Sequence, residues 1–167
     1  MAANPVIAGL RLVAFDVDGV FTDGRFYLSD EGVETKAFAT QDGFGIRRLL
    51  AAGIDVAVIS GRSSGAVDRR MTELGVEHVM QGCRDKVGAF KDLIANLGIP
   101  AEACAFVGDD IPDLPLLSAV GYSIAVANAV SEVREACDHT TRARGGFGAV
   151  REVCDIVLAA REEGAGD

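Results

Sequence analysis

The chain has no apolar run approaching the roughly 20 residues that a membrane-crossing helix requires, so no membrane partner is expected. It has no Cys-x-x-Cys pair, and its four cysteines, Cys83, Cys104, Cys137 and Cys154, stand far apart. That spacing argues against a cysteine metal site or a disulfide frame and predicts reduced thiols in a cytoplasmic protein. The first ten residues lack a basic start followed by a long apolar stretch, so no secretory leader is expected. Positive charge is also scarce. Sixteen lysines and arginines face 25 aspartates and glutamates, for a net charge of −9. Nucleic acid is therefore not an expected partner, because phosphate backbones demand clustered cations. No internal repeat, low-complexity segment or linker is visible.

What the chain does have is enough apolar material for one core. At 167 residues with 49% hydrophobic content it reads as one ordinary globular domain. Residues 12–17 form a short apolar run that ends in carboxylates, the pattern of a buried parallel strand. Two β-prone runs, 25–29 and 33–39, flank Asp30-Glu31-Gly32 and predict a hairpin. Asp42 is placed as the cap of a helix reaching Ala52. Strands then alternate with helices: strand 55–60, helix 64–74, strand 77–80, helix 85–97, strand 104–107, a short helix 113–118, strand 122–125, helix 131–135 and a last helix 148–160. The tail, 161–167, is expected to fray. The fold class is α/β: a Rossmann-like parallel sheet with helices on both faces, from which the hairpin projects as a small flap over 25–39. Ligands of such sheets bind beyond the carboxyl ends of the strands.

Charge is uneven along the chain. From Gln41 to Lys91 there are eight basic residues and six acidic ones, so half of the cations fall in this less acidic stretch. An anionic ligand fits there, although solvated helix faces account for most of these arginines equally well.

Three predicted strands end in groups suited to phosphate chemistry. After the first come Asp16-Val17-Asp18-Gly19. Two carboxylates two residues apart can face one pocket, and a cation such as Mg²⁺ would relieve their repulsion. Gly19 lets the backbone turn sharply beside a ligand. This places Asp16 as a nucleophile and Asp18 as a general acid and then base, against a plain polar turn. After the second strand come Ser60-Gly61-Arg62, a hydroxyl and a guanidinium fork that suit a phosphate, though Ser-Gly is also ordinary turn chemistry. Lys86 begins a helix, where a lone lysine is usually a solvated charge. After the third strand come Gly108-Asp109-Asp110-Ile111-Pro112-Asp113. Three carboxylates there are costly unless solvated or neutralised by a cation. The spacing does not match a helix-loop-helix calcium loop.

The order of these groups carries more weight than any one of them. Asp16-x-Asp18, Ser60, Lys86 and Asp109-Asp110-x-x-Asp113 together resemble the four motifs of the haloacid dehalogenase-like phosphohydrolases, over nearly the whole chain. Residues 1–167 are accordingly expected to form a single haloacid dehalogenase-like hydrolase domain. The stretches DVDGVFTDG (16–24), QDGFGIRRL (41–49), ISGR (59–62), GDDIPDLP (108–115) and ARGGFGAVREVCDIVL (143–158) resemble one branch more closely, the 3-deoxy-D-manno-octulosonate 8-phosphate phosphatases. The room between Gly24 and Gln41 admits a hairpin but no cap domain, as in that branch.

The resemblance implies a magnesium-dependent phosphatase that acts on a small acidic sugar phosphate as a homotetramer, with a neighbour's tail closing the site. It implies that Asp16, the backbone carbonyl of Asp18, and Asp109 hold Mg²⁺. Ser60 and Lys86 then bind the phosphoryl oxygens, while Asp110 and Asp113 orient the metal's waters and Lys86. By the same resemblance the substrate meets Asp18, the segment Ala39, Thr40, Gln41, Asp42 and Gly43, and also Arg47, Gly61, Arg62, Arg70 and Lys86. Two positions depart from the branch. Gln41 stands where many members carry arginine, and Phe147 where many carry a basic residue. Each lacks a cation for an acidic sugar, which keeps a nonulosonate 9-phosphate as an alternative substrate. Phe147 is expected at a subunit interface or packed beneath its own C-terminal helix.

Three other classes compete. A non-catalytic module related to cytidylyltransferase-associated domains should have lost some of the site residues. A signalling receiver domain lacks a carboxylate two residues after its phosphorylated aspartate. A phosphomutase needs a cap.

Overall fold

The computed structural model describes residues 4–166. In chain order the elements are α1 (Pro5–Ala8), β1 (Leu12–Phe15), β2 (Tyr27–Leu28), β3 (Glu34–Thr35), α2 (Thr40–Ala51), β4 (Asp55–Ile59), α3 (Gly65–Leu74), β5 (His78–Met80), α4 (Lys86–Leu97), β6 (Cys104–Gly108), α5 (Leu114–Leu117), β7 (Tyr122–Ala125), α6 (Ser131–Ala136), β8 (His139–Thr140) and α7 (Ala149–Gly164). Six strands form one sheet in the order β5-β4-β1-β6-β7-β8, and every pairing in it is parallel. Its middle strands carry unbroken apolar sequences because both faces are covered. All four residues of β1 and all five of β6 are buried.

Right-handed crossovers set the helices. The chain moves outward from β1 through β4 to β5, then returns to lay β6 on the other side of β1. Reversing direction puts the next crossover helices, α4 and α5, on the opposite face. Helices α1, α2 and α7 pack together on one side, and α4 packs with α5 on the other. Between β1 and β6 the strand order reverses, and the crevice opens at their carboxyl ends.

Local signals account for the element boundaries. The Asp85 carboxylate accepts the Gly88 N–H at 2.9 Å and so caps α4. Helix α3 stops at Gly75, whose φ of 81° is left-handed and strains any residue with a Cβ. The hairpin pairs Tyr27 with Thr35 and Leu28 with Glu34 in antiparallel register and stands off the main sheet.

Several boundaries differ from the sequence reading. The first strand ends at Phe15 rather than residue 17, because the Val17 N–H turns to the Asp16 carboxylate at 2.7 Å instead of a neighbouring strand. Asp42 does not cap α2. The helix begins three residues earlier, with Ala39 at the cap position and no side chain serving as cap. Helix α7 runs past Ala160 to Gly164, while Asp167 lies outside the described residues. The short elements α1 and β8 had no sequence signal long enough to detect. No helix among the described residues is long and apolar enough to cross a membrane.

Candidate active site

The carboxyl ends of β1, β4 and β6 converge on a cavity of about 270 Å³. Asp16, Asp18, Ser60, Gly61, Arg62, Lys86, Asp109, Asp110 and Asp113 all line it. Asp16, Ser60 and Asp109 are each the first residue beyond their strand, so parallel pairing alone brings them side by side. Gly19 permits the tight first loop. Its φ is 85°, and a Cβ there would run into the Asp109 carboxylate. Thr22 Oγ1 accepts the Gly19 and Gly24 N–H groups at 3.2 Å each, fixing that loop.

Lys86, the first residue of α4, reaches into the cavity. Its Nζ lies 2.7 Å from Asp113 Oδ1 and 3.2 Å from Asp16 Oδ1. Burial works to lower the Lys86 pKa, but Asp16 and Asp113 outweigh it and hold the ammonium above its ordinary value. Asp113 is itself buried. Its Oδ2 accepts the N–H groups of Asp109 and Asp110 at 3.0 and 3.3 Å, so it braces the loop that presents Asp109. The Asp110 carboxylate accepts the Ile111 N–H at 2.8 Å and starts the short 3-10 turn Ile111–Asp113.

The cavity concentrates negative charge that the protein's own groups do not balance. Burial, then Asp113, pushes the Asp16 carboxyl up to about 7 against the pull of Lys86. Burial, then Asp16, Asp113 and Asp110, pushes Asp109 up to about 8. Carboxyl oxygens of Asp16, Asp109 and Asp113 lie within 4.8 Å of one another. Asp113 already spends both oxygens on Lys86 and the backbone. Asp16 and Asp109 are thus the pair left to hold a hard divalent cation, and oxygen donors with such repulsion fit Mg²⁺.

The residues assigned to the substrate divide into groups. Asp18, Gly61, Arg62 and Lys86 line the carboxylate cavity. Thr40, Gly43, Arg47 and Arg70 line a second cavity of about 280 Å³ together with Phe44 and Leu74. Ala39 lines a third beside Phe38 and Phe147. Gln41 is exposed, and its side chain lies close to Gly148. Asp42 lines none of these cavities. It is 1% exposed, and its Oδ1 accepts the Arg151 N–H at 2.9 Å, capping the start of α7 across the fold. Burial pushes its carboxyl up, and Oδ2 has no hydrogen-bond partner. Phe147 is 63% exposed, so it does not pack beneath its own helix.

Sequence reasoning missed two residues on the hairpin. Lys36 Nζ lies 2.6 Å from Asp18 Oδ1, and Glu34 Oε2 lies 2.6 Å from an Arg62 nitrogen. The available signal was weak. Glu34 and Lys36 are two apart, which puts both on one side of an extended strand, but nothing local says that this side faces the cavity.

The sequence model of haloacid dehalogenase-like hydrolases matches residues 78–151. A 3-deoxy-D-manno-octulosonate 8-phosphate phosphatase of Yersinia pestis is 44% identical over 156 residues, 93% of this chain and 83% of that one. One from Escherichia coli K12 is 47% identical over 152 residues, 91% of this chain and 81% of that one. The crystal structure of the corresponding Moraxella catarrhalis phosphatase, in complex with magnesium ion, phosphate ion and a KDO molecule, superimposes with a TM-score of 0.93. It is 44% identical and covers 97% of this chain and 93% of its own.

Proposed function

The chain belongs to the 3-deoxy-D-manno-octulosonate 8-phosphate phosphatase family of haloacid dehalogenase-like hydrolases, and from that premise we propose that it hydrolyses 3-deoxy-D-manno-octulosonate 8-phosphate to the free sugar acid and phosphate, a step in lipopolysaccharide precursor synthesis. The observation that carries this reading is the cavity itself. A nucleophile, a second carboxylate two residues on, a lysine and a cation-binding pair line one space at the sheet's reversal point.

Asp16 attacks phosphorus in line as the bond to the sugar oxygen breaks, giving an aspartyl phosphate. Asp18 donates a proton to the departing sugar oxygen. It then takes a proton from the water that attacks phosphorus and frees Asp16. Ser60 and Lys86 hold the phosphoryl oxygens, and Asp113 fixes Lys86 for that task at 2.7 Å. Asp16, the Asp18 backbone carbonyl and Asp109 would hold Mg²⁺, which would supply positive charge against the phosphoryl oxygens. Asp110 would orient water around it. Arg62 suits the sugar's carboxylate, which its fork can bind bidentately.

The protein works as a homotetramer in this reading. Support comes from the exposed side chains Tyr27, Leu28, Val33, Phe44 and Phe147, apolar surface that neighbouring subunits would cover. A cytoplasmic location is supported by four free cysteines. Phosphate release decides the substrate. It is measured with Mg²⁺ and with a chelator on the octulosonate 8-phosphate, a nonulosonate 9-phosphate, a hexose 6-phosphate and a nucleotide. Metal-dependent preference for the octulosonate is expected. Preference for the nonulosonate keeps the mechanism and changes the substrate, and no turnover on any of the four by folded, metal-loaded protein overturns it.

A further inference from the structure

Lys36 has no part in the motifs that define the site, yet its side chain is 0% exposed. An ammonium removed from water is costly unless charged partners replace its hydration. Lys36 has two. Its Nζ lies 2.6 Å from Asp18 Oδ1 and 3.4 Å from Glu34 Oε1. Glu34 in turn places Oε2 2.6 Å from the Arg62 guanidinium, which stacks 4.2 Å over the Phe26 ring. The hairpin is otherwise a poor scaffold, with two residues in each strand and no pairing to the main sheet. Its inward charges therefore anchor it to the cavity rim.

We propose that Lys36 is a positioning residue for Asp18: it engages Oδ1, fixes the carboxyl rotamer, and leaves Oδ2 as the oxygen that gives and takes the proton. Glu34 holds Lys36 in place and ties the same hairpin to Arg62. The proposal rests on the reading of the cavity as a phosphatase site. In the first half-reaction the bond from phosphorus to the leaving oxygen breaks as the bond to Asp16 forms, and the proton on Asp18 Oδ2 passes to that oxygen. In the second, Oδ2 accepts a proton from water as the bond between Asp16 and phosphorus breaks. A carboxyl free to rotate offers either oxygen, in no fixed direction, and proton transfer slows.

A leaving group that needs no proton separates this role from a structural one. The test compares wild type, Lys36→Met and Lys36→Arg on the octulosonate 8-phosphate and on p-nitrophenyl phosphate. Rapid-quench single turnovers report the first transfer alone. With the sugar phosphate, Lys36→Met should slow that transfer about a hundredfold and shift KM by less than about threefold. The p-nitrophenolate burst should keep its rate to within about threefold, because that anion departs without protonation. Lys36→Arg restores a donor to Oδ1 and should recover the sugar-phosphate rate to within about tenfold of wild type. Equal slowing of both esters, or no slowing of either, overturns the proposal. If Lys36→Met does not fold, Glu34→Gln decides: a fall of a few-fold in the sugar-to-aryl rate ratio supports the role, and an unchanged ratio overturns it. Wild type inactive on both esters would instead overturn the phosphatase reading.

Discussion

Two cavities of this protein, one lined by carboxylates and one by arginines, are built on different principles. In the carboxylate cavity Asp16 and Asp109 stand at strand ends and Lys86 at a helix start, and most of the charged groups are held by another. Lys86 joins Asp16 to Asp113, and Asp113 joins Lys86 to the loop before it. In the arginine cavity the cations sit on helix faces and are held more loosely. Arg47 donates to the Glu73 carbonyl at 2.9 Å, and Arg70 pairs with the exposed Glu73 carboxylate at 3.2 Å. The first cavity has a geometry that reaction demands. The second has charge with freedom to adapt, which suits recognition of a flexible anion. In the proposed function one chain thus separates bond breaking from substrate grip, and substitutions should respect that division.

The largest effect should come from Asp16→Asn, which keeps the shape and removes the nucleophile. Turnover should fall at least about a thousandfold, with the melting temperature unchanged or raised, since a buried charge is lost. Near-normal activity would sink the covalent scheme. In the arginine cavity, Arg70→Ala should raise KM for the acidic sugar phosphate about tenfold and leave kinetics on p-nitrophenyl phosphate unchanged. Equal losses on both substrates would erase the division between the cavities.

Metal removal sharpens the contrast through stability. Asp16 and Asp109 have folded-state pKa values raised to about 7 and about 8, mainly by burial. Groups with raised values favour the folded state most when protonated. Their contribution is complete below the ordinary carboxylate range and is lost as pH rises through about 7 and about 8. The melting temperature of chelator-treated protein should therefore fall across that window. Mg²⁺ should restore it most at the alkaline end, and Asp109→Asn should flatten the metal-free profile. The smallest effect should come from Asp42→Ala, which leaves the Arg151 N–H without its buried acceptor. It should cost about 1–3 kcal/mol in denaturant unfolding while kcat stays unchanged. A selective rise in KM would instead return Asp42 to the substrate.

The chemistry was legible in the sequence where residue order and strand periodicity coincide. Asp16, Ser60 and Asp109 follow apolar runs directly, and a parallel sheet aligns such ends whatever lies between them. The ranges 64–74 and 85–97 were legible too, because Ser64 and Asp85 stand at the N-caps of α3 and α4 and the left-handed glycines Gly75 and Gly98 at their C-caps. Asp42 misled because a capping residue looks the same whichever helix it serves. Its acidic side chain near one helix start meets the backbone of α7, 109 positions away.

By itself, then, the sequence determined the α/β order, the carboxylates at the strand ends and the lack of a cap, because these depend on local pattern and chain length. Only the tertiary structure decided that Lys36 meets Asp18, that Asp42 belongs to α7, and that the arginines divide between two cavities. Those outcomes depend on which way a hairpin folds back and which helices pack together. That packing is a property of the whole core, and no spacing between neighbouring residues encodes it.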